Sequence, residues 1–155
     1  MNIIQPSLQA CISIGGRVFT DLDNLIMLYG WTAGSTTIRT SLRLANGTAG
    51  YQVPASRTLK IMAAKIVPCA ATPTGQVVAT PCYSDNDVGM ESSTAFTNPI
   101  YLGGDVVLGL ATAGASDNYP EFGVVLVFDV PTGKYPGFQG GACVTSLIFY
   151  GYLRA

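Results

Sequence analysis

The chain has 155 residues, with eight basic and nine acidic side chains for a formal charge of −1, no histidine, and 11% charged against 48% hydrophobic residues. A domain of this size buries roughly 68–70% of its unfolded surface without help from metal or disulfide, while ordinary soluble domains carry about 25% charged residues. The apolar surplus is therefore expected at subunit interfaces. The dispersed charge lacks the basic cluster that releases counterions from nucleic acid, and no apolar run reaches the roughly 18–20 residues of a bilayer span.

The opening "MNIIQPSLQA" lacks the basic start and apolar core of a signal peptide. Residues 1–10 read as an N-terminal arm on a single domain spanning 1–155. Gly, Pro, Thr, Ser and Asn then interrupt the chain about every ten residues, a spacing that predicts an all-β sandwich or barrel. Strands are expected at 8–14, 24–31, 36–44, 58–67, 76–83, 99–102, 105–110, 122–130 and 143–153. Residues 20–30 are two-sided evidence, because Leu22, Leu25, Ile26 and Tyr29 also fit one helical face; strand is preferred.

Residues 36–44 alternate, with Ile38, Thr40, Leu42 and Leu44 on one face and Arg39, Ser41 and Arg43 on a wet one. Asn46-Gly47 follows as a tight hairpin turn. "YQVPASR" and "DVPTGK" each place a Val-Pro pair before small, polar or basic residues. Proline pushes the residue ahead of it into extended backbone, so each pair marks a corner at which the chain folds back between sheets.

The strands "FGVVLVFDV" and "SLIFYGYLRA" are apolar on both faces. Such a strand needs cover on its back, either from within the sandwich or from another subunit. The subunit contact is preferred, which assigns Phe122, Val125, Val127, Phe149, Tyr150, Tyr152 and Leu153 to a trimer interface. Gly151 leaves room there for a neighbouring backbone or aromatic ring.

The order of strands, the two Val-Pro corners and the final "LIFYGYL" resemble the jelly roll of tumour-necrosis-factor and C1q-like trimers. "YQVPASRTLKI", "YSDNDVGMESSTAFTNPIYLGG" and "DVPTGKYPGF" are also similar to small jelly-roll capsid decoration or cement proteins of tailed bacteriophages, over roughly residues 36–153. The resemblance implies an all-β, antiparallel jelly-roll sandwich that assembles as a homotrimer. It further implies a structural protein made in the host cytoplasm, placed on the outer surface of the virion and partnered with the major capsid protein.

The absence of histidine removes cupin-type metal centres, His-based triads and Cys-His dyads. Gly15-Gly16-Arg17 lacks the Lys-Ser/Thr of a phosphate cradle. Asp85, Asp87 and Glu91 could ligate a hard cation, but Val88 breaks the calcium-loop pattern, and a polar turn is preferred. No catalytic residue, cofactor or metal is assigned. Cys11, Cys69, Cys82 and Cys143 form no C-x-x-C pair; buried free thiols are preferred over a Cys69–Cys82 bridge, which needs an oxidising milieu.

Trp31, Tyr29, Tyr83, Tyr101, Tyr119 and Tyr135 offer rings for sugar stacking, although packing is the commoner fate of such side chains. Trp31 and Tyr119 are the candidates for an exposed binding surface, with 112–122 as an exposed loop. The alternative function is accordingly a trimeric receptor- or carbohydrate-binding head of a phage tail fibre or spike, partnered with a host-surface glycan.

Overall fold

A computed structural model describes residues 10–32, 37–68, 76–102, 106–110, 122–141 and 145–155. They contain eleven strands and no helix: β1 (Ile12–Ile14), β2 (Arg17–Phe19), β3 (Ile26–Thr32), β4 (Arg39–Ser41), β5 (Thr58–Pro68), β6 (Gln76–Ser84), β7 (Ile100–Tyr101), β8 (Val106–Leu110), β9 (Phe122–Val130), β10 (Tyr135–Gly140) and β11 (Thr145–Arg154). All pairings are antiparallel. One sheet runs β3-β11-β5-β9 and the other β4-β10-β6-β7, with β8 also on β6; β1 and β2 pair only with each other.

The two sheets enclose one core. Leu28, Leu59, Ile61, Ile66, Val130, Leu147 and Phe149 meet Leu42, Ala79 and Phe138, and all are at most 1% exposed. Full burial of such a side chain is worth about 1.5–3 kcal/mol. Phe149 packs edge-to-face on Phe128 at 5.3 Å, an orientation that the ring quadrupole favours.

The ambiguous segment resolves as strand over β3, where Leu28, Gly30 and Thr32 are buried while Met27 and Trp31 are exposed. Leu22 and Leu25 lie in the loop before it, where Asn24 donates to both carboxylate oxygens of Asp21 at 3.1 and 3.2 Å.

The expected strand at 36–44 contracts to β4 and has no wet face, because Thr40, Ser41 and Leu42 are all fully buried. The segment after β6 lies over it: Val88 N–H donates to the Ser41 hydroxyl at 3.0 Å, and Glu91 N–H to the Thr40 hydroxyl at 3.1 Å. Asn46-Gly47 makes a turn closed by Gly47 N–H on the Leu44 carbonyl at 2.8 Å. Neither residue has positive φ, and an irregular loop follows instead of a hairpin strand.

β2 and β10 lie outside the expected strands. β10 reads "YPGFQG", rich in turn residues, yet it sits between β4 and β6 with Phe138 fully buried. Gly151 does admit a backbone, that of Lys60 on β5, at a register shift between Tyr150 and Gly151. Both Val-Pro corners carry the chain from one sheet to the other, between β4 and β5 and between β9 and β10.

Candidate interaction surface

Gly15 and Gly16, with φ of 59° and 82°, form the two-residue turn between β1 and β2, where Ile14 faces Arg17. Positive φ at both central residues suits a right-twisted hairpin, and the Gly-Gly pair between short apolar runs was the sequence signal for it. Ile12, Ile14 and Phe19 pack on the back of the β3-β11-β5-β9 sheet against Met62, Ala63, Ile148, Tyr150 and Tyr152. The tip seats on β9, since a methyl group on Gly15 would lie 2.8 Å from the Val124 carbonyl carbon and one on Gly123 would strike the Gly15 nitrogen. Tyr152 OH donates to the Asp21 carbonyl at 3.1 Å and fastens the hairpin's other end.

Burial within the chain corrects two residues of the expected interface, Phe149 and Tyr150. Phe149 faces the core at 0% exposure, and Tyr150, 5% exposed, lies beneath Phe19 at a ring separation of 6.1 Å. Tyr152 packs on the same Phe19 ring at 6.2 Å, and half-buried Leu153 packs on the main core. The sandwich core takes Phe149 and the chain's own hairpin covers Tyr150, so these two present no free surface to a neighbour, while Tyr152 and Leu153 stay half-buried. Val125 and Val127 do remain open, at 50% and 52% exposure. Phe122 belongs to β9, but its side chain lies outside the described residues, as do Tyr119, the stretch 111–121, Cys69, Cys143 and residues 1–9.

Two apolar margins are left on the same sheet face. On β3, exposed Met27 joins Ile12, Leu22 and Leu25 around an apolar cavity of about 220 Å³; Trp31, 39% exposed, is further along that strand. On the opposite margin stand Val125 and Val127 of β9, which among the described residues pairs with β5 alone. No family model, curated protein or solved structure matches the chain. Assignment therefore rests on these surfaces and on the strand order.

The segment "YSDNDVGMES" is a braced loop across the β4-β10-β6 sheet. Asp85 accepts from Lys134 and, at 2.9 Å, from Asn98; Asp87 accepts from the N–H groups of Gly50 and Gly89, both at 2.8 Å. Asn86 takes the Thr97 N–H at 2.7 Å. The hydrogen bond from Lys134 and that from Asn98 hold the Asp85 carboxyl below its ordinary value of 3.8. Among the described residues no group of three or more potential ligands gathers to hold a metal.

Beneath this loop Val88 and Phe96 close over Cys82. Cys82 is a free, fully buried thiol, as preferred from the sequence over a bridge to Cys69, and burial pushes its pKa up to about 12. Cys11 is also free but exposed, contrary to the expectation of burial. Of the candidate sugar-stacking rings, Trp31 and Tyr101 are exposed at 39% and 42%, while Tyr29, Tyr83 and Tyr135 are half-buried.

Proposed function

We propose that the chain is a structural, non-enzymatic virion protein, a jelly-roll homotrimer that decorates the outside of a tailed-phage head and cements contacts between major capsid protein subunits. The nesting of its strands carries this reading: β3 pairs with β11, β4 with β10, β5 with β9, and β6 with β7 and β8. With the β1-β2 hairpin set aside, the remaining strands pair outermost with outermost and so inward, which supports a jelly-roll reading, an architecture found in viral capsid domains. The lack of histidine and the apolar margins at Val125, Val127 and Met27 also favour assembly over catalysis.

Cementing needs only differential binding. A trimer that recognises the assembled lattice and not its separated subunits stabilises the lattice by mass action, and three linked contact surfaces raise avidity without tight individual sites. Co-sedimentation with undecorated, expanded phage heads tests this. Protein that pellets at a saturating number of copies supports cementing, and protein left wholly in the supernatant contradicts it.

The half-exposed ring of Trp31 favours a second reading, a carbohydrate-binding head on a tail fibre or spike. That reading requires a glycan to raise the melting temperature of the wild type and leave Trp31→Ala unmoved.

A further inference from the structure

We infer that copies of this chain join head to tail, with Val125 and Val127 of one entering the Ile12/Leu22/Leu25/Met27 cavity of the next. The inference rests on the homotrimer reading and specifies its contact. Strands β11 and β5 separate β3 from β9, so three strand spacings place the valines about 14 Å from Met27. A copy's valines therefore cannot fill its own cavity, and the hairpin occupies the sheet face between them.

Size, chemistry and charge select a second copy as the occupant. The cavity is apolar and about 220 Å³, while an apolar cavity of roughly 150 Å³ already admits a benzene ring; valine side chains fit within it. The rim is acidic, since Asp21 and Asp23 flank Leu22 and are exposed. Beside the valines Arg154 and Asp129 neutralise each other, with both carboxylate oxygens held at 2.9 and 3.0 Å, and Lys60, opposite Asp129 in the register, leaves a net positive charge.

A projecting group and a receiving pocket at different places on one chain form a heterologous contact, which closes into a ring when the rotation permits. An isologous dimer through either margin would leave the other apolar surface in water. A ring covers both on every copy, and for a homotrimer the closure is threefold.

The test uses full-length chains whose fold is verified by circular dichroism. Met27→Glu disables the cavity, and the double substitution Val125→Glu/Val127→Glu disables the projection; all three positions are exposed. Light scattering at a concentration that saturates wild-type assembly is expected to give three chain masses for the wild type and one for either variant alone. Their equimolar mixture is expected to give two, because one intact projection and one intact cavity remain to pair.

A variant that stays trimeric by itself, or a mixture that stays monomeric, overturns the contact while leaving the trimer reading in place. A monomeric wild type overturns both. Should either variant misfold, Lys60→Glu provides the second reading: the dissociation midpoint is expected to rise about tenfold at low salt and less at high salt, and no shift overturns the contact.

Discussion

The carbonyl of Val53, ahead of the first Val-Pro bond, accepts a hydrogen bond of 2.8 Å from the N–H of Gly133 in the turn after the second. Val53 N–H returns a 3.0 Å bond to the Lys134 carbonyl, and the Thr132 hydroxyl donates to the Pro54 carbonyl at 2.8 Å. The two corners therefore clasp each other at one end of the sandwich. Each is closed by the same turn, from Arg57 N–H to the Pro54 carbonyl and from Lys134 N–H to the Pro131 carbonyl. The third residue has positive φ in both, 60° at Ser56 and 75° at Gly133. The repeated punctuation in the sequence is thus two equivalent turns that meet.

Gly133→Ala forces a side chain into left-handed backbone, at a cost of about 1–2 kcal/mol. Urea denaturation is expected to show that loss, while Thr132→Ser, which keeps the hydroxyl bond to Pro54, stays within about 0.5 kcal/mol of wild type.

Phe149 and Val125 separate core from surface. Phe149→Ala is expected to cost about 3–5 kcal/mol of folding stability. Val125→Ala changes a half-exposed position and leaves the folding midpoint of the monomeric unit nearly unmoved. Equal effects in chemical denaturation would contradict the placement of Phe149 inside the sandwich.

Gly123 makes the hairpin separable from the sandwich. A methyl group there meets the Gly15 backbone, and such overpacking costs about 1–3 kcal/mol. Amide hydrogen exchange in Gly123→Ala is expected to accelerate over 12–19 while β5 and β11 keep their protection. Uniform acceleration would mean that the hairpin and the sandwich open as one unit.

Much of this architecture was legible in the sequence. The sequence left β3 between helix and strand with strand preferred, while runs such as "TLKIMAAKIV" and "FGVVLVFDV" placed β5 and β9 nearly to the residue. β10 was not legible, because Pro136, Gly137 and Gly140 read as turn residues, and the strand exists only through its partners on both sides. The cover over β11 was half legible for a related reason. The pattern in "SLIFYGYLRA" shows that both faces of β11 must be covered, but not whether another subunit or the same chain covers them. Phe19 on Tyr150 is the chain's own answer. Val125 and Val127 lie on the part of that face left open.

Asp85 ties the braced loop to the second corner through Lys134, and its folded pKa lies below the ordinary 3.8. The unfolded chain therefore takes up this proton first as acid is added, so the contribution is complete above the ordinary aspartate range and is lost as pH falls through the folded value. Melting temperature followed downward from pH 5 is expected to fall more steeply in wild type than in Asp85→Asn. Parallel curves would contradict the pairing with Lys134.

The most direct test of the account is the absolute mass of the wild-type protein in dilute solution, measured by light scattering. Three times the 16.2 kDa chain mass is the predicted result. A mass of one chain, unchanged on concentration, would contradict the trimer and with it the proposed role on the capsid surface.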